Sequence, residues 1–347
     1  MLTKNLVIVI TTTSLLACGQ RPIVQGTDEG EPTIGSYAGK LVFSRPSDVD
    51  RDGDSWEEQL FVADWSGENV EQVATPESLG HFNGVSRSED GQSLTVATHE
   101  GLFSIDETGK ATQLPIGHVG WQDPSDPSIR GLMMDGALIN SPDGGITAFG
   151  STSFDYAYMT VLHVVDATGG EPQIFTNEGK LLAQSTFNSI VNFVSSPLYT
   201  HSFVWADEGK TLIAAQSDKL VSVSTVGERL KILSAGYEYA NAQLAISPDG
   251  EYLALNRRNI GAGNGRDIYR VRVADLLASN LLDPDTTHPT LERITFDQDN
   301  KQGLAYGPNG LVAVTSLAEN DSTTLRIIDT QSGDTVATIE GVRKVYP

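Results

Sequence analysis

A single cysteine, Cys18, stands in a chain of 347 residues. That excludes a disulfide framework and any zinc site built on several thiolates. Basic residues are scarce too: 23 Lys and Arg face 45 Asp and Glu, a formal charge of −22. Binding a phosphate backbone needs a basic stripe, so DNA and RNA are excluded as partners. Adsorption to anionic lipid through protein charge is excluded on the same ground. Past the N-terminus no apolar run approaches the ~20 residues of a membrane-spanning helix. The six His residues, at 81, 99, 118, 163, 201 and 288, show no metal-ligand spacing. There is no Gly-x-Ser-x-Gly elbow, no Walker loop and no His-Glu-x-x-His. The Gly-rich run from Gly261 to Arg266 lies between two strand-like segments with no helix after it, so it reads as a hairpin tip rather than a phosphate cradle. The chain is therefore read as non-enzymatic.

What is present begins with an address. Lys4 supplies a positive start, residues 6–16 an apolar stretch too short to span a bilayer, and Leu15-Leu-Ala-Cys18 its end. This pattern resembles the bacterial lipoprotein signal, which implies cleavage before Cys18 and a lipid on its sulfur. Gly19 in place of Asp implies the outer membrane, in the pattern of Gram-negative lipoproteins. The expected division is residues 1–17 as signal peptide, 18–36 as lipidated Cys and tether, and 37–347 as one folded body. Residues 19–36 are polar, Gly- and Pro-rich and aperiodic, the composition of a tether. The expected location is the cell envelope, facing the periplasm or the cell surface, with membrane contact through the N-terminal lipid only.

The body is repetitive. Ser88-Glu-Asp-Gly91, Ser141-Pro-Asp-Gly144, Ala206-Asp-Glu-Gly209, Ser247-Pro-Asp-Gly250 and Gly307-Pro-Asn-Gly310 each precede a short apolar run, and Tyr37-Ala-Gly-Lys40 is a weaker copy. A second run, a turn such as Asp64-Trp-Ser-Gly67 or Asp166-Ala-Thr-Gly169, and a third run follow each. Asp bonds its own backbone in such turns and Gly accepts positive φ. Four strands per repeat predict an all-β fold, a six-bladed β-propeller of four-stranded blades. The first blade has no innermost strand ahead of Gly39, so residues 342–346 are predicted to supply it and close the ring.

The Ser-Pro-Asp-Gly turn and the apolar strand after it resemble the repeats of TolB-type propellers over residues 38–347. The resemblance implies the fold, not TolB's own partnerships. TolB has a further α/β domain ahead of its propeller, for which residues 19–36 have no counterpart.

One insertion carries chemistry. Asp48-Val-Asp-Arg-Asp-Gly-Asp54, with Glu57 and Glu58 after it, has the alternate-carboxylate spacing of calcium loops. Asp48, Asp50, Asp52, Asp54, Glu57 and Glu58 are candidate ligands for a structural Ca2+, with a solvated acidic loop as the alternative. Gln59 occupies the position where an EF-hand loop closes on Glu, and strands flank it, so it is not an EF-hand. The remaining irregular segments, 116–136, 177–200, 151–159, 257–266 and 317–323, fall on the face opposite the Asp-Gly turns. Long loops on a rigid scaffold carry binding, so that face is the expected site for a protein or peptide partner of a monomeric propeller. The turns are expected to be scaffolding only. Residues 181–193 read as a short helix inside one long connection. The alternative function is an envelope hydrolase or lactonase-like enzyme with a channel metal; the predicted inner strands supply mostly Ser, Val, Ala and Asn83, too few ligands.

Overall fold

The computed structural model describes residues 36–347, apart from stretches of which the longest are 47–57, 184–199 and 280–290. Five four-stranded sheets and one five-stranded sheet form the blades of a propeller. Blade 1 comprises Lys344–Tyr346, Leu41–Pro46, Glu58–Ala63 and Glu71–Gln72, from inner to outer. Blade 2 comprises Gly84–Arg87, Ser93–Thr98, Gly101–Asp106 and Ala111–Gln113. Blade 3 comprises Leu138–Asn140, Ile146–Ser153, Met159–Asp166 and Gln173–Phe175, and Leu181–Ala183 adds a fifth, outermost strand. Blade 4 comprises Ser202–Ala206, Thr211–Ala215, Lys219–Ser224 and Leu230–Ala235. Blade 5 comprises Leu244–Ile246, Tyr252–Arg258, Arg266–Arg272 and Glu292–Arg293. Blade 6 comprises Asn300–Tyr306, Leu311–Leu317, Thr323–Asp329 and Thr335–Glu340.

Each described ladder is antiparallel, and the ring closes as predicted: Val42, Phe43 and Ser44 pair with Tyr346, Val345 and Lys344. The helix expected at residues 181–193 is not formed at its start. Leu181 pairs with Phe175 instead, because a three-residue apolar run beside an open sheet edge gains ladder hydrogen bonds there. Among the described residues the α-helix is Val273–Ala278, which follows the third strand of blade 5. That strand therefore ends at Arg272, where the helix begins.

The core explains why the strands read as nearly continuous apolar runs. Side chains alternate across a strand, and both faces of a blade are covered by neighbouring blades. Leu41 and Phe43 pack against Ala305, Ala313 and Leu325 of blade 6, while Val42, between them, packs against Val85, Leu94 and Val96 of blade 2. In blade 4, Phe203 and Trp205 join Ala148 and Leu162 of blade 3, whereas Val204 joins Leu244 and Leu253 of blade 5. The six hydrophobic clusters correspond to the six seams between adjacent blades. Burying one such large aliphatic side chain contributes ~1.5–3 kcal/mol, so stability is spread around the ring rather than held at one centre.

Candidate functional site on the turn face

The Ser-x-Asp-Gly turns make the same bonds wherever Ser is present. The Ser141 hydroxyl donates to Asp143 Oδ1 at 2.6 Å and accepts from the Ile146 amide at 2.9 Å. Asp143 Oδ1 also accepts from the Gly145 amide at 3.1 Å. Ser247 and Asp249 repeat this with the amides of Tyr252 and Glu251, as do Ser88 and Asp90 with those of Ser93 and Gln92. These bonds hold the Asp143 and Asp249 carboxyls below the usual carboxylate range, the Ser hydroxyl being the main cause. For Asp90 the Gln92 amide is the main cause. The turn aspartates are therefore tied to their own loops.

Those turns also ring a cavity. A funnel of about 570 Å³ is lined by residues of all six blades, which places it on the propeller axis. Its walls include Trp65, Ile139, Trp205, Ile246 and Tyr306, and its rim carries Asp207, Glu208 and Asp249. Trp205 is fixed by its indole N–H, which donates to the Ile139 carbonyl across a blade seam at 3.3 Å. Trp65, in the outer turn of blade 1, lies across Gly307 of blade 6. A Cβ at position 307 would stand 2.4 Å from indole carbons, which explains why this repeat has Gly where intact copies have Ser. At the rim, Asp207 (φ 50°) and Glu208 (φ 53°) are consecutive left-handed non-glycine residues. Such strain, of the order of 1–2 kcal/mol per residue, gathers at functional sites.

The expectation that the turns are scaffolding alone is thus too narrow: they are also the lip of a concavity on the propeller axis. The missed signal was chemical. Trp at 65 and 205, and Gly instead of Ser at 307, depart from the repeat at positions that converge only after the ring closes.

Of the candidate calcium ligands, Asp48, Asp50, Asp52, Asp54 and Glu57 lie outside the described residues. Glu58 lies within the second strand of blade 1, paired with Pro46, and its side chain is fully enclosed. Its carboxylate stands 2.9 Å from Arg343 Nε, and the Tyr346 hydroxyl approaches it at 3.4 Å. That hydroxyl also lies near Ser44 Oγ and the Phe82 carbonyl. Burial, with Glu58 adding to it, pushes the Tyr346 phenol well above its ordinary range. Cys18 also lies outside the described residues, as do all His residues except His163. His163 is buried and stacked on Phe149 with ring centroids 5.2 Å apart, and burial lowers it to about 3. The hairpin reading of 257–266 agrees with the pairing of Arg258 and Arg266 on either side of its tip. Among the described residues no three His, Cys, Asp or Glu side chains are grouped as metal ligands.

No family model matches the chain, and no curated protein matches it in sequence. Solved structures do. A TolB structure from Agrobacterium tumefaciens superposes with a TM-score of 0.53 at 16% identity, over 88% of this chain and 90% of that one. TolB from Acinetobacter baumannii gives 0.55 at 14% identity, over 90% of this chain and 66% of that one. A chain of a nidogen/laminin complex gives 0.54 at 8% identity, over 88% and 97%. At these identities the likeness concerns the fold: a six-bladed propeller of the kind found in TolB.

Proposed function

We propose that this chain is a lipid-anchored, non-enzymatic propeller of the bacterial envelope, and that it binds a protein partner through an extended peptide segment seated in the turn-face funnel. The funnel carries this reading. It is open, its walls are aromatic and aliphatic, and its strained rim is acidic. Its charge fits a segment that places apolar side chains inside and Lys or Arg at the lip. The two TolB structures and the chain of the nidogen/laminin complex share the propeller fold and support a scaffold role.

Linear peptides selected from a random library test the reading. They should share one site, carry Lys or Arg beside aliphatic or aromatic residues, and change tryptophan fluorescence through Trp65 and Trp205. Ile246→Lys should weaken them about tenfold or more, roughly 1.4 kcal/mol. Binders indifferent to that substitution would move the site elsewhere, the long-loop face being the next place to look.

Two finer parts of the proposal have their own checks. The lipid on Cys18 predicts palmitate incorporation that Cys18→Ala abolishes. A stiffening Ca2+ in the hairpin of Asp48, Asp50, Asp52, Asp54 and Glu57 predicts a calorimetric binding heat, lost in the Asp50→Ala, Asp52→Ala double variant. Equal heats would remove the calcium.

A further inference from the structure

The outermost strand of a blade presents a row of backbone N–H and C=O groups on its outer side, an invitation to pair with another chain. In five blades that edge is guarded. Blade 1 ends in Glu71–Gln72 and blade 5 in Glu292–Arg293, each charged and too short to template a strand. Blade 2 ends in three residues, Ala111–Gln113, and the equally short Leu181–Ala183 covers the fourth strand of blade 3. Blade 4 has a six-residue outer strand, but the helix Val273–Ala278 is fastened beside it. Ser279, at the end of that helix, donates to the Leu233 carbonyl at 3.0 Å, and Lys231 Nζ donates to the Leu277 carbonyl at 2.5 Å.

Blade 6 is the exception. Its outer strand, Thr335–Glu340, pairs with Thr323–Asp329 on one side and is the last of its sheet among the described residues. Four of its six residues are β-branched, Thr335, Val336, Thr338 and Ile339, and no Lys or Pro interrupts it. One face is held: Ala337 and Ile339 pack toward blade 1, where a Cβ on Gly67 would stand 3.0 Å from the Ala337 methyl.

The large apolar side chains exposed among the described residues gather at this edge. Val336, in the strand, is 52% exposed, Val70, just past Gly67, is 38% exposed, and Phe296 is 71% exposed. Phe296 and Thr335 line one hollow of about 300 Å³ between blades 5 and 6, together with Ile294, Ile328 and Arg326. Arg293 holds the Phe296 ring there: its guanidinium stands 4.6 Å from the ring centroid and bonds Asp267 at 2.5 Å. Acidic charge brackets the apolar middle. Asp334 and Glu340 are exposed at the two ends of the strand, and Glu68 and Glu71 are exposed on either side of Val70.

We infer that the outer edge of blade 6 receives an extended segment of a partner protein as a fifth strand, with β-branched or aromatic residues at the segment's centre and Lys or Arg at both ends. Backbone bonds to the open edge supply affinity, and alternate side chains reach the hollow beside Phe296 on one face and Val70 on the other. The terminal cations meet Asp334 and Glu340. A second copy of this chain fits less well, because each carries a formal charge of −22 and the two repel. The edge lies at the circumference and the funnel on the axis, so the two surfaces are separate.

A fluorescein-labelled synthetic peptide, Lys-Val-Thr-Val-Thr-Val-Lys, tests the edge by fluorescence anisotropy with the intact protein. It should bind, and the same peptide with Glu at both ends, or with N-methyl groups on alternate backbone nitrogens, should bind about tenfold more weakly or worse. Val336→Lys and Thr338→Lys, both at exposed positions, should weaken the parent peptide by a similar factor, whereas Ile246→Lys in the funnel should leave it unchanged. Sensitivity to Ile246→Lys with indifference to both edge variants would put the peptide in the funnel and overturn the inference. Absence of binding, or binding indifferent to N-methylation, would also overturn it. So would sedimentation showing that the protein dimerises and that Val336→Lys makes it monomeric, since the occupant would then be a second copy.

Discussion

At position 307 one missing methyl group decides how two blades meet. Gly307 lets the Trp65 indole lie flat across the backbone, and Gly307→Ala must displace it. Overpacking of this kind costs about 1–3 kcal/mol, so chemical denaturation should show a lowered midpoint at unchanged slope, together with shifted tryptophan emission. Glu208 lies at φ 53° beside Asp207 at φ 50°, and Glu208→Gly should raise stability by about 1 kcal/mol by releasing strain. No gain would mean the rim is not strained. Protonation adds a third residue-scale effect. Burial lowers His163 to about 3 against 6.5 in the unfolded chain. Its contribution to stability is therefore complete above pH 6.5 and is lost as pH falls from 6.5 toward 3. The turn aspartates, also lowered, withdraw their contributions in more acid solution, below the unfolded value of 3.8. His163→Phe, which keeps a ring beside Phe149, should flatten the stability profile between pH 6.5 and 3 and leave the steeper acid limb in place.

The element most dependent on distant sequence is the closing strand, Lys344–Tyr346. It was legible because the first repeat opened without an inner strand while the last was followed by spare apolar residues. What holds it was not legible. Glu58, read from spacing as a cation ligand, is enclosed against Arg343 and Tyr346, a grouping visible only once the C-terminus lies beside blade 1. Removing one member of a buried ion pair costs about 3–5 kcal/mol, so Arg343→Ala should be strongly destabilising in thermal unfolding, whereas Arg45→Ala, on the neighbouring strand but outside the pair, should not match it. Similar losses in both would deny the pair its role. Other element-level differences are local. The outer strand of blade 1 is only Glu71–Gln72, whereas blades 4 and 6 end in six-residue strands, Leu230–Ala235 and Thr335–Glu340. The run at 181–183 carried no period able to distinguish helix from strand.

At the scale of the whole molecule, the repeat made the blade number and the ring readable, since every copy carries its own turn chemistry. The funnel was hidden from that reading because no single repeat contains it. Its walls come from residues as far apart as Trp65 and Tyr306, and they meet only through closure. In the proposed reading the acidic rim, the chain's entry at Tyr37 and the aromatic mouth belong to one arrangement: a ring whose funnel would seat a peptide on the side where residues 36–40 are bonded. The most direct test of that claim is a photo-reactive version of a selected binding peptide, crosslinked to the protein and mapped by mass spectrometry. Adducts should fall in residues 206–209, 246–250 and 306–308, around the funnel; adducts confined to Gln216, Lys219, Arg258 and Arg266, at the other ends of these strands, would contradict it.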